Sequence, residues 1–226
     1  MTKLFAGTAF MCVFTSLACG SVTFSDGTFA PSTWGQELVT VGPGGTSAAS
    51  QVSTGNPGFA RRVQNTVEGG GTVYAFSRFG TDQATRYNAS TQGAILTVDF
   101  SIDHRFVEGV GGDGQAVRLG AKQGQTVYAA GYEVTGSSGL WGTTTFTGLT
   151  AADFSAPGGG GTIDFSATGA PIRFGFIAVN SSTGPTYLNT VDYDNFFVRV
   201  NSVPGPGVGV CGLAGLVAAG VRRRRA

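Results

Sequence analysis

The sequence predicts an all-β fold: an antiparallel β-sandwich of jelly-roll type, flanked by an N-terminal signal helix and a C-terminal apolar helix. Three observations carry this. Apolar and polar residues alternate with period two in several runs, the pattern of strands with one buried and one wet face. Glycine-rich turn signals separate those runs: "GPGG", "GNPG", "EGGG", "VGGDG" and "APGGGG". No stretch of the body holds a long helical period, and only "LTAADF", Leu149 to Phe154, reads as one short helical turn. Ten or more short strands spaced by turns fit a sandwich.

Taken in order, Met1 to Gly20 reads as a secretory signal. Lys3 supplies the positive start, Leu4 to Val13 is mostly apolar, and Ala18-Cys19-Gly20 puts small residues at the cleavage site. Cleavage is expected after Gly20, with Ala18 as the second choice. A lipoprotein site at Cys19 is the alternative, with Ser16 three residues before it. The body is expected to span 21–202 as one domain, and 203–226 to form a separate tail.

Within the body, "GTVYAFSRF" and "QTVYAAGYEV" alternate as strands do. In "AILTVDFSI", Leu96, Val98, Phe100 and Ile102 share one face and Thr97, Asp99 and Ser101 the other. "TIDFSA" pairs Ile163 with Phe165, and "PIRFGFIAV" aligns Ile172, Phe174, Phe176 and Ala178 with Arg173 and Gly175 opposite. The last strand, "VDYDNFFVRV", turns Phe196, Val198 and Val200 to the core, and strict alternation sends Asp192 and Asp194 the same way. A carboxylate there is costly unless it is paired or binds a cation. Calcium with oxygen ligands or the backbone amides of a neighbouring loop would each satisfy it.

Composition narrows the functions. The 226 residues include 38 glycines, and only 12% are charged, too apolar for disorder. Between residues 21 and 203 lie nine basic and thirteen acidic residues. That balance leaves no clustered Lys and Arg to hold nucleic acid, and Arg61 and Arg62 read as solvated strand residues. Cys12, Cys19 and Cys211 all lie outside residues 21–203, which excludes a disulfide framework, a cysteine metal site and a cysteine nucleophile from the body. His104 is the single histidine and is expected at a strand end on the surface; a catalytic histidine would need an orienting acid and a nucleophile in reach. No G-x-S-x-G elbow is present. The chain is therefore expected not to be an enzyme. Exposed aromatic rings that stack on sugars are the better prospect. Trp141, Trp34 and Tyr132 are the candidates, with Tyr128 and Tyr187 behind them; the alternative for the tryptophans is a place in the core.

The tail is "VPGPGVGVCGLAGLVAAGVRRRRA". Val208 to Val221 carries no charge; as a helix at about 1.5 Å per residue it would span about 21 Å, short of the roughly 30 Å hydrocarbon core. The four arginines behind it would stay cytoplasmic. Val203, Pro204, Gly205, Pro206 and Gly207, the apolar run, and Arg222, Arg223, Arg224 and Arg225 together resemble the PEP-CTERM sorting signal of bacteria. The family's central glutamate is Gly205 here. The resemblance implies an exosortase-type sorting enzyme as partner and passage through the inner membrane to the cell surface. An ordinary C-terminal membrane anchor is the alternative.

A second resemblance lies in the body. "FSDGTFAPSTW" and "YDNFFVRV" look like the first and last strands of carbohydrate-binding-module jelly rolls of the galactose-binding-like kind. These often hold a structural calcium, and the resemblance implies Asp194 as its ligand with Asp26 as companion. The expected function is a secreted, surface-sorted, non-catalytic module that binds polysaccharide or extracellular matrix. A structural or adhesive surface protein is the alternative, and a hydrolase the weaker one.

Overall fold

The computed structural model describes residues 20–109, 115–136 and 138–203. The expected signal segment before Gly20, and Pro204, Gly205, Pro206 and Arg222 to Arg225 of the tail, lie outside the described residues. Eleven strands are found among the described residues: β1 (Gly20–Asp26), β2 (Trp34–Val41), β3 (Gly45–Gly55), β4 (Gly58–Val67), β5 (Thr72–Phe79), β6 (Ile95–Gly109), β7 (Ala116–Gln123), β8 (Thr126–Val134), β9 (Gly142–Leu149), β10 (Ile172–Ser181) and β11 (Tyr187–Ser202). One helical turn, α1 (Ala89–Gln92), precedes β6, and the expected turn near "LTAADF" is a 3₁₀ turn, Ala151–Asp153.

The strands form two antiparallel sheets. One runs β3-β4-β11-β6-β9, with β1 also paired to β11; the other runs β2-β5-β10-β7-β8. β11 is long enough to take two partners on one edge. Tyr187 to Tyr193 pairs with β4, and Phe196 to Ser202 pairs with β1. Apolar faces of both sheets meet in one core, which includes Val63, Phe100, Leu119, Phe174, Phe176, Tyr193 and Val198. Trp34 sits at its centre, with ring centroids of Phe29, Phe196, Phe79 and Phe176 at 4.8, 5.1, 5.4 and 5.8 Å.

Three expectations are corrected here. First, alternation does not run unbroken through β11. Asp194 pairs with Asp103 but Phe197 pairs with Ser101, so Asn195 and Phe196 together oppose the single residue Ile102. This β-bulge shifts the parity of the strand. Val191 and Tyr193 face the core before it, and Phe196, Val198 and Val200 after it. Asp192 and Asp194 therefore face away from the core. Second, "TIDFSA" forms no strand, although Ile163 and Phe165 are both buried; Ile95 donates its N–H to the Phe165 carbonyl instead. Third, Arg61 is not solvated. It lies on the core side of β4 at 4% exposure, crosses between the sheets, and donates from Nε to Ser77 Oγ at 2.8 Å. Its Nη2 reaches Gly35 O and Gln36 Oε1, and its guanidinium lies over the Trp34 ring. Burial without a carboxylate partner lowers its pKa to about 10.

Candidate functional site

The sandwich has two outer faces, and they differ in what they offer. On the outer face of the β3-β4-β11-β6-β9 sheet the buried carboxylates are met by neighbouring side chains and amides. Asp192 is fully buried there although it points outward. Arg62 donates to it from Nε and Nη2 at 2.7 and 3.0 Å, Arg105 from Nη2 at 2.8 Å and Thr54 from Oγ1 at 3.0 Å. Burial by itself pushes the Asp192 carboxyl up, but the hydrogen bonds from Arg62 and Arg105 outweigh it and hold the group below its ordinary range. Arg105 also lies 4.9 Å from the Trp141 ring centroid. One face of that indole is thus taken by a cation.

The tip of the β3–β4 hairpin folds over Asp194. The Asn56 N–H donates to Asp194 Oδ2 and the Asn195 N–H to Oδ1. Asn195 Nδ2 donates to Asn56 O and to Asp103 Oδ2, both at 2.8 Å, and Thr143 Oγ1 donates to Asp103 Oδ1 at 2.6 Å. Burial pushes the Asp194 carboxyl up, and the charges of Asp103 and Asp26 add to it.

These contacts bear on the calcium expected at Asp194 and Asp26. Asp26 Oδ1 accepts from Thr28 N and Oγ1, and its Oδ2 accepts from Phe29 N and, at 2.7 Å, from Trp34 Nε1. Both of its oxygens are saturated by N–H and O–H donors, which occupy the lone pairs a cation would need. Among the described residues no group of three or more His, Cys, Asp or Glu could hold a metal ion. As arranged, Asp26 has no oxygen left for a calcium ion, and backbone amides, the other remedy the sequence allows, meet Asp194.

The remaining expected residues are scattered. Trp34 is 5% exposed and donates to Asp26, so it is a core residue and not a sugar platform. Tyr128 is buried as well. Tyr187 is half-buried and its hydroxyl donates to Ser181 O. His104 is not a surface strand end: it lies within β6, half-buried, with Nε2 3.0 Å from Thr144 Oγ1. Burial lowers its pKa, and Thr144, at 3% exposure, is out of reach of a substrate. Tyr132 is 53% exposed near the end of β8.

Tyr132 belongs to the other outer face, that of the β2-β5-β10-β7-β8 sheet. One row across this face is small but for Arg78: Gly35, Arg78, Gly175, Gly120 and Ala129 are neighbours from β2 to β8. The Phe76 ring lies over the paired glycines, and a Cβ on Gly120 would come within 2.6 Å of it. Phe76, Ile177 and Ala129 are fully buried, and Val39 and Tyr74 pack against them. The segment after the 3₁₀ turn passes here, bridging Ala129 with Ser155 and meeting Val39 at Gly158.

Polar groups flank this apolar middle on both sides. At one end Tyr74 and Tyr132 lie near the Arg118 guanidinium, whose Nε donates to Gly131 O at 2.6 Å. Gly131 is a bulge residue with φ +67° that lets β8 turn Tyr132 to this side. Burial lowers the Arg118 pKa, and the two phenols oppose that. At the other end is a pocket of about 410 Å³ lined by Arg78, Arg86, Lys122 and Arg173, with Gly124 and Gln125 of the β7–β8 turn at its rim. Glu37 pairs with Lys122 at 2.6 Å and with Arg78 at 3.2 Å. Arg173 donates to the carbonyls of Gly80, Thr81 and Asp82. Burial and the charges of Arg86 and Arg78 lower the Arg173 pKa. Sequence reading missed this cluster because its four members stand 8, 36 and 51 residues apart along the chain. The one local signal was Arg173 opposite a row of core phenylalanines.

Fold and surface together define a two-sheet antiparallel sandwich with an aromatic and cationic outer face. No protein-family model and no curated protein matches the chain. Solved structures do. The family 11 carbohydrate-binding module of the cellulosomal cellulase Lic26A-Cel5E of Clostridium thermocellum is 16% identical with a TM-score of 0.47, over 79% of this chain and 94% of that one. The family 11 module from the same organism in complex with a β-1,3-1,4-mixed-linked tetrasaccharide has the same identity and TM-score, over 83% and 99%. The C-terminal family 22 module of Clostridium thermocellum Xyn10B is 11% identical with a TM-score of 0.43, over 80% and 94%. At these values none of the three assigns a ligand or a residue role to this chain.

Proposed function

We propose that this protein is a non-catalytic, jelly-roll-type polysaccharide-binding module, and that sugars lie on the outer face of the β2-β5-β10-β7-β8 sheet. The observation that carries the reading is the group Tyr74, Arg118 and Tyr132 on that face, with Tyr132 53% exposed. Aromatic rings take up the apolar face of a pyranose, and a neighbouring guanidinium fixes its hydroxyls. Binding of a panel of soluble polysaccharides tests it. Tyr132→Ala should lower affinity about tenfold or more, the loss of one stacked ring plus its fixed partner, with an unchanged melting temperature. Undiminished binding in Tyr132→Ala would move the site off this face.

The ends of the chain support a secreted protein sorted to the cell surface. Lys3 and the apolar run after it, and the Val203–Gly207 lead with Arg222 to Arg225, are the features that favour it. An exosortase-type enzyme is then the partner of the tail, and the inner membrane its route. Deleting Arg222 to Arg225 should change delivery to the surface, measured by fractionation; unaltered delivery would leave an ordinary anchor or no anchor.

A further inference from the structure

The pocket at the far end of the proposed binding face holds more positive charge than the protein around it answers. Arg78, Arg86, Lys122 and Arg173 line it, four of the nine basic residues between positions 21 and 203. The carboxylates near them are Glu37, shared by Arg78 and Lys122, and Asp82, beside Arg173. Asp82 spends Oδ1 on Thr85 N and Oγ1. Arg86 forms no ion pair among the described residues, and the Nε atoms of Arg78 and Arg86 are buried without a hydrogen-bond partner. Buried donors left unmet cost free energy, and like charges held together cost more.

The backbone fixes this arrangement in place. Arg86 is held by its neighbour Tyr87, which exchanges both backbone hydrogen bonds with Ile172 at 2.8 Å. Arg173 is anchored by three carbonyls and Arg78 lies over Gly35. An oxyanion suits this cluster of cations, Arg86 above all, because charge-assisted hydrogen bonds from a guanidinium to a carboxylate or sulfate group are strong and can come in pairs. The volume is of the order of small-ligand sites, roughly 300–1,000 Å³. Tyr74 and Arg78 are four residues apart on the same face of β5, about 13 Å at about 3.3 Å per residue. The span is that of a short oligosaccharide, which would cross the fully buried Phe76–Ile177 middle to use both ends.

We propose that the Arg78–Arg86–Lys122–Arg173 pocket is an oxyanion site, and that the polysaccharide taken by this face is acidic, bearing carboxylate or sulfate groups on its sugars. This inference rests on the polysaccharide reading above and names its ligand class. The pocket would receive one anionic substituent while the rings at the other end stack on a neighbouring sugar.

The test is isothermal titration of the full chain with polygalacturonate, a sulfated galactan and a neutral β-glucan at low and high salt. Galacturonic acid and inorganic sulfate are titrated beside them. Arg86→Gln is the pocket variant, since Arg86 holds no ion pair among the described residues; Lys122→Gln replaces it if its melting temperature falls. Tyr132→Ala reports on the face as a whole. The expected result is that an acidic polymer binds at least tenfold tighter than the glucan, that salt weakens it, and that Arg86→Gln loses about tenfold, the scale of one charge-assisted hydrogen bond. A preference for polygalacturonate identifies a carboxylate, and for the galactan a sulfate. Glucan bound as tightly as the acidic polymers, reduced by Tyr132→Ala and untouched by Arg86→Gln, would overturn the oxyanion site and leave the polysaccharide reading. Sulfate or galacturonic acid bound through Arg86, with no polymer bound, would leave an anion site and overturn the acidic polysaccharide. No binding by any of them, or binding of single-stranded nucleic acid in preference to all of them, would overturn both.

Discussion

Arg62 and Arg105 close on Asp192 from the strands on either side of it, and that geometry gives the fold a dependence on pH. The folded chain holds the Asp192 carboxyl below its ordinary range. Its ion pairs therefore stabilise fully above the ordinary aspartate pKa, about 4, and that stability is lost as pH falls through the lower folded value. Asp194 has the opposite sign. Its carboxyl is pushed up in the folded state, so its ionisation opposes folding above that raised value, and acidification relieves it first. Melting curves in steps from about pH 7 to about pH 3 should show a flat or slightly rising limb, then a fall. Asp192→Asn should flatten the fall and cost about 1–3 kcal/mol near neutral pH, since it leaves two arginines facing a neutral group. A fall unchanged in that variant would place the acid sensitivity elsewhere. The two tryptophans separate at this scale too. Trp34→Phe strips a buried donor from Asp26 and should cost about 1–3 kcal/mol. Trp141→Ala removes only a partly exposed ring over Arg105 and should stay within about 1 kcal/mol. Equal losses would mean that Trp34 is not the core hub.

Two elements owe their shape to single residues. In β11 the bulge residue Asn195 has φ +50°, a conformation that asparagine tolerates better than most residues. Its amide also ties the bulge to Asn56 and Asp103. Asn195→Gly keeps the backbone and loses the amide; Asn195→Ala loses both. Chemical denaturation should find the alanine variant less stable than the glycine variant by about 1 kcal/mol. Equal stabilities would show that the bulge carries no strain. In the facing sheet, Gly120→Ala would drive its methyl into the Phe76 ring and should destabilise by about 1–3 kcal/mol, the usual cost of overpacking. The sequence carried the strands with large apolar residues, β5, β6, β8, β10 and β11, because their alternation is strong. It left β2, β3, β7 and β9 unmarked. "GTSAASQVSTG" and "GTTTFTGL" are built of small and polar residues whose strand state depends on a partner to pair with. Alternation also failed at the bulge, since one inserted residue reverses every side chain beyond it.

For the whole molecule, the paired carboxylates of the first sheet and the cations of the second give two faces of different kinds. With Asp26 and Asp194 met by N–H and O–H donors, chelator should leave the melting temperature of the full chain unchanged; a drop of several degrees would restore the calcium that the strand resemblance implies. The cationic pocket was invisible along the chain. Nine basic against thirteen acidic residues argued against any basic patch, yet folding gathers four of the nine around one pocket. Tyr132 was legible as a candidate only as one of the aromatic rings that could stack on a sugar. Its partners Tyr74 and Arg118 were not, because they come from other strands. What the sequence determined by itself was the class of fold and most of the heavily apolar strands, since these rest on local alternation and turn chemistry. Which carboxylates are buried, which tryptophan is core and which basic residues meet were decided only by tertiary structure, because each depends on strand register and on pairings between residues far apart in the chain.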